Sequence, residues 1–215
     1  MDLDLAMVRE GLLRVLVVMC SLALHEWGHA IVADKLGDDT PRSQGRVTLN
    51  PLVHIDWIGT ILIPLLGALG FFGGFSMIGW AKPIYTNPAN FRRGMFDQAL
   101  VTIAGPGVNF ILAILATFAL ALSYRHAPAL EHLFELLLLV NVGLMVFNLL
   151  PIPPLDGSKF LMYWFGMSEE LYGQLSMYGS FLLLALVNIS AFREFMSVLF
   201  KLALLPFDRL LGLLT

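Results

Sequence analysis

Apolar residues gather along the chain into runs long enough to cross a bilayer, and short polar segments separate them. The first run, residues 11–33, leads into GDDTPRSQGRVTLNP, whose Gly, Pro and Asp mark a loop. A second run, 55–72, contains Pro64, which predicts a kinked or short span. The next stretch, FGGFSMIGWAKPIYTNPANFRRG, is too broken by Gly, Pro and aromatic residues to be a helix. Its alternation around Met77 to Tyr85 predicts a short hairpin at the membrane surface.

A third run covers 99–123, and the charged segment SYRHAPALEH divides it from a fourth, 133–150. That run stops at Pro151, because the prolines of Pro151-Ile152-Pro153-Pro154 remove amide donors and push each preceding residue out of helical geometry. Extended backbone at membrane depth is tolerated only where protein or a watery cavity surrounds it, so the prolines point to a site. A fifth run, 172–189, precedes 192–213, where Arg193, Glu194, Lys201, Asp208 and Arg209 interrupt the apolar residues and favour a helix lying in the interface over a sixth short span. The predicted fold is an all-α polytopic membrane protein of five or six transmembrane helices, with a membrane-associated hairpin-like segment and an unwound Pro-rich loop. No internal repeat or long linker divides it, so residues 1–215 are expected to form one transmembrane domain.

Composition supports this. The chain is 58% hydrophobic and 13% charged, with mean hydropathy +0.78, so lipid is its main solvent. Net charge is -3 and the 13 Lys and Arg are scattered, which excludes a nucleic-acid-binding surface. The single cysteine, Cys20, lies in the first run and reads as a small buried side chain that can form no intrachain disulfide. That run holds polar residues of functional type and so reads as a retained span, not a signal peptide.

Those polar residues are His25-Glu26-Trp27-Gly28-His29. On a helix, positions i and i+4 share a face, so both imidazoles can meet one Zn²⁺ while Glu26 leans over the open coordination position as general base. Such a short pattern also arises by chance in soluble helices. At the middle of a membrane helix, however, unpaired His and Glu cost several kcal/mol, which favours the metal over a buried hydrogen-bonded cluster. A catalytic zinc needs a third protein ligand. Cys20 points about 140° away from His25 around the helix. His126 and His132 lie among charged residues and read as solvated, and His54, at the start of the second run, reads as an interfacial anchor. Asp156 stands out because it directly follows the helix-breaking prolines, with Gly157 permitting a sharp turn.

The chain resembles the site-2 proteases, intramembrane metalloproteases of regulated membrane proteolysis. The resemblance rests on His25-Glu26-Trp27-Gly28-His29-Ala30 for the family's HExxH helix and on Asn148-Leu149-Leu150-Pro151-Ile152-Pro153-Pro154-Leu155-Asp156-Gly157 for its NxxPxxPLDG segment. A third match is Ala104-Gly105-Pro106-Gly107-Val108-Asn109, between them. Order and spacing agree from about residue 20 to 160. These 215 residues contain neither the PDZ nor the CBS domains that many relatives carry, so the likeness is to a short form.

The resemblance implies His25, His29 and Asp156 as ligands of one Zn²⁺ per chain, Glu26 as base, and Asn148 near the metal, contacting the substrate backbone and offering a donor to the developing oxyanion. It further implies that the segment near Gly73 to Pro83 lies beside the site, where its backbone could pair with an unwound substrate. Small residues at 104–108 suit close helix packing, and Asn109 suits an interhelical hydrogen bond better than a place in the cavity. The expected function is hydrolysis of peptide bonds within or near transmembrane segments of other membrane proteins, by a multi-pass protein of the cell membrane. Arg9, Arg14, Lys82, Arg92, Arg93 and Lys159 on one side of the membrane, against Lys35, Arg42, Arg46 and Arg125 on the other, slightly favour a cytoplasmic N-terminus. The alternative is a membrane metal-binding or transport protein. Transporters commonly show repeated halves, and no second copy of the motif is present.

Overall fold

The computed structural model describes residues 5–68 and 80–215. Among them every regular element is helical. Helix α1 spans Leu5–Lys35, the four-residue α2 Thr40–Ser43, α3 Ile63–Ala68, α4 Met95–His126, α5 Glu131–Asn148, α6 Asp156–Phe165, α7 Glu169–Val187 and α8 Ser190–Leu214.

Among the described residues three stretches are long and apolar enough to cross a membrane: Val8–Lys35, Met95–His126 and Pro128–Asn148. They correspond to the first, third and fourth predicted runs, and they pack on one another as the centre of the molecule. On α1 the buried residues Val18, Leu22, His25, His29 and Ala33 recur every three or four positions, the helical period of one inward face. Val17, Val18 and Leu22 meet Leu136, Val140 and Leu144 of α5. The opposite face of α5, through Leu138 and Val142, meets Ala113, Ala116 and Leu120 of α4. Alanines on α4 let the axes approach closely, which is how helices associate where lipid gives no hydrophobic drive.

The second run is the short, irregular helix that Pro64 predicts, and the later runs depart from expectation. The second begins with a π-helical turn, Trp57–Leu62, capped by Asp56, whose carboxylate accepts from the amides of Ile58 and Gly59. It passes into α3 just before Pro64, which has no N–H to give to the preceding turn. α7 opens on Glu169, Glu170 and Gln174, too polar to stand alone as a span, and its end Phe181–Val187 joins α8 across an 87° bend. Counted as one span, that bent pair brings the total among the described residues to four, so the expected five or six are not all found there.

α8 does not lie apart from the bundle. Phe207 enters the cluster of Ala113, Ala116 and Leu120, and Arg125 at the end of α4 donates to the carbonyls of Leu214 and Thr215. Of the hairpin expected around Met77 to Tyr85, residues 77–79 fall outside the described residues. From Trp80 to Thr86 the backbone is extended without a strand assignment, and it pairs with the start of the second run: Trp80 N donates to Gly59 O at 3.1 Å and Lys82 N to His54 O at 2.9 Å.

Candidate metal centre

α1 carries His25, Glu26 and His29 at the depth where α4 and α5 pack against it. The two imidazoles meet edge to face, ring centroids 4.7 Å apart and planes at 82°. Asp156 arrives from the other end of the chain. α5 stops at Asn148, the prolines carry the backbone across, and Asp156 becomes the first residue of α6. Gly157 permits this, since a Cβ there would collide with the backbone of Leu149 and Leu150.

The outcome is a small triangle. His25 Nε2, His29 Nε2 and Asp156 Oδ2 stand 3.1 Å from one another on all three sides. Ligand atoms on a tetrahedral zinc with bonds of 2.0–2.1 Å are separated by about 3.3–3.4 Å, so these three match one face of such a site closely. His25 and His29 are at most 5% exposed and Asp156 6%, so bulk water does not compete for them.

Both Nδ1 atoms are already engaged, His25 with Asn109 Oδ1 and His29 with the Val101 carbonyl, each at 2.6 Å. The Nε2 lone pairs therefore converge with a carboxylate oxygen, and a cation resolves their repulsion. Lys159 Nζ donates to Asp156 Oδ1 at 2.9 Å, which leaves only Oδ2 turned to the histidines. Among the described residues this is the one group of three or more His, Cys, Asp or Glu arranged to hold a metal.

A cavity of about 640 Å³ opens beside the triangle, lined by Glu26, Asn148, Trp80, Lys159, Tyr163 and Tyr172 among others. Asn148 spends one amide N–H on Leu144 O. The extended residues Ala81, Pro83 and Ile84 form part of the same wall.

His54 is elsewhere. It is buried, with Nε2 at Thr48 O, in a loop that buried Arg46 ties together by donating to the carbonyls of Val53 and Pro83. His126 and His132 are exposed, and His132 meets Glu10 at 2.7 Å. Sequence reasoning missed Gly105, where a Cβ would run into both imidazoles, within 2.6 Å of the His25 ring. It also missed Lys159 as the partner of Asp156, and Asn141. A lone Asn in the apolar run 136–146 is a signal that could have drawn attention.

Residues 123–187, which include the Asn148 to Gly157 segment, match the family model of peptidase family M50. YwhC of Bacillus subtilis, provisionally named a zinc metalloprotease, is 40% identical over 155 residues, which cover 68% of this chain and 66% of that protein. Rip2 of Mycobacterium tuberculosis, with the same provisional name, is 34% identical over 144 residues, 66% of this chain and 53% of that protein. The chain thus spans about two thirds of the first relative and about half of the second. No solved structure matches. The order of the two motifs, the triangle they form in space and these relatives lead to one conclusion: the chain belongs to peptidase family M50, the site-2 proteases.

Proposed function

We propose that the chain is an intramembrane zinc metalloprotease that hydrolyses peptide bonds within or near the transmembrane segments of other membrane proteins. In this reading residues 1–215 act as one transmembrane domain of a multi-pass cell-membrane protein, and one Zn²⁺ per chain is held by His25, His29 and Asp156. The observation that carries it is the 3.1 Å triangle of two imidazole nitrogens and one carboxylate oxygen with Glu26 on the wall of the adjoining cavity.

When bound, zinc polarises the scissile carbonyl and lowers the pKa of a water at its open position from about 15.7 toward about 7. Glu26 takes the proton of the attacking water and passes it to the leaving amine. The second N–H of Asn148 is our candidate donor to the carbonyl oxygen as charge develops on it. The extended backbone from Trp80 to Ile84 offers main-chain groups to an unwound substrate segment, and the surrounding helices exclude lipid from the reacting bond.

The test is cleavage of single-span reporters by protein reconstituted in liposomes. Glu26→Gln is expected to keep its zinc and to lose cleavage by roughly 100-fold or more, the usual worth of a general base. Wild-type cleavage by this variant would contradict the reading. An ion carrier built on the same ligands would show no cleavage at all, in either form.

A further inference from the structure

We propose that Asn109, Asn141 and Ser21 form a positioning chain that fixes the tautomer of His25, anchored on the backbone carbonyl of Leu137. The proposal rests on the metal-site reading above. Its direction follows from one atom whose role cannot change: a carbonyl oxygen only accepts. The Asn141 atom 2.8 Å from Leu137 O is therefore the amide nitrogen, which also donates to Ser21 Oγ at 3.1 Å. Asn141 Oδ1 is left as an acceptor, and Asn109 Nδ2 donates to it at 2.9 Å. With that nitrogen committed, Asn109 presents Oδ1 to His25 Nδ1 at 2.6 Å. An amide oxygen cannot donate, so in the neutral imidazole the proton sits on Nδ1 and Nε2 keeps the lone pair on the side of Asp156 and His29.

Reversing either amide would set oxygen against oxygen or N–H against N–H. Water cannot repair such a mismatch, because Asn109 and Asn141 are 0% exposed and Ser21 is 1%. The chain crosses all three central helices, from Leu137 and Asn141 on α5 to Asn109 on α4 and back to Ser21 and His25 on α1. Ser21 lies one turn before His25, so the helix bearing the imidazole also meets Asn141, the amide at the far end of the chain. His29 reaches the same state in a single link, through the Val101 carbonyl. Both rings, when neutral, thereby keep Nε2 rather than Nδ1 free for a metal.

The test compares wild type with Asn109→Leu, Asn109→Asp and Asn141→Leu in detergent micelles. Two quantities are read: zinc affinity by chelator competition, and imidazole tautomers of the metal-free protein by nitrogen NMR. Asn109→Leu is expected to bind zinc roughly 10–100-fold more weakly, the usual effect of losing the partner of a ligating histidine. It should also convert His25 from a single Nδ1–H tautomer to a mixture, while His29, resting on Val101, stays unchanged as the internal control. Asn109→Asp keeps an acceptor oxygen at His25 Nδ1 and should recover the Nδ1–H tautomer, which a merely space-filling residue would not do, while its second oxygen meets Asn141 Oδ1 and so zinc affinity is expected to recover only in part.

Asn141→Leu touches no metal-facing atom. It should show a smaller loss in the same direction, and it carries the test should Asn109→Leu not fold. Wild-type affinity and an unchanged His25 tautomer in a folded Asn109→Leu or Asn141→Leu protein would overturn the proposal. A His25→Ala protein that binds zinc as tightly as wild type would instead remove the metal-site reading beneath it.

Discussion

A methyl group added at residue 105 would fall on ground already held by the imidazoles of His25 and His29, whereas one added at Gly107 would meet nothing within 4 Å. Gly105→Ala is therefore expected to lose most of its bound zinc, since overpacking of about 1–3 kcal/mol can be relieved only by turning the ligands away. Gly107→Ala should bind as wild type. Metal analysis of both purified variants checks the pair, and equal zinc in the two would mean that the imidazoles can move without loss of the site. At this scale the sequence was legible where spacing alone sets geometry. His25 and His29 share a helical face because of i,i+4 periodicity, and Asp156 was marked by the prolines before it. Gly105, Lys159 and Asn141 were not legible, because their roles depend on which faces of separate helices meet. Gly105 looked like ordinary small-residue packing, and Lys159 like a flanking charge.

Among the elements, the loop after α1 is fastened by one carboxylate. Asp38 is fully buried and accepts from the amide and hydroxyl of Thr40, from Asn87 N at 2.8 Å and from Asn90 Nδ2 at 2.9 Å, so it clasps the end of α1 to the segment leading into α4. Burial works to raise its pKa, but the hydrogen bonds from Thr40, Asn90 and Asn87 prevail and hold it below the usual carboxylate value. A carboxylate with a depressed folded pKa contributes stability above its unfolded pKa, near 3.8, and that contribution disappears as pH falls through the lower folded value. Asp38→Asn should thus destabilise the protein by about 1–3 kcal/mol at neutral pH, with the gap closing below about pH 4. Thermal melts of both proteins in detergent across that range measure it, and a gap independent of pH would contradict the role given to the charge. The same scale shows why three spans were legible and the rest were not. α1, α4 and α5 are long, unbroken and apolar, so length and hydropathy decide them. Pro64, the acids at the start of α7 and the bend before α8 make the other runs depend on tertiary contacts, and one arm of the expected hairpin, residues 77–79, lies outside those described.

For the molecule as a whole, the proposed cleavage beside a candidate metal site among membrane helices constrains what a substrate could be. A peptide bond inside a transmembrane helix is shielded by its own hydrogen bonds, and opening a turn exposes polar groups at several kcal/mol each unless the cavity satisfies them. Gly and Pro lower helix stability by about 1 and 3 kcal/mol relative to Ala, so placing them in a reporter's span should speed cleavage, by up to about tenfold per 1.4 kcal/mol if unwinding limits the rate. A run of Leu should slow it. Reporters matched in length and hydrophobicity but differing in helix propensity test this, and equal rates would shift attention to substrate entry between the helices. All of this depends on the triangle of His25, His29 and Asp156 holding a metal that Glu26 does not ligate. Zinc per chain, measured in purified wild type, Glu26→Gln and Asp156→Ala, tests that claim most directly. The account predicts about one zinc in the first two and a large loss in the third, because two imidazoles alone do not hold a four-coordinate site firmly. Full zinc in Asp156→Ala, or its loss in Glu26→Gln, would contradict it.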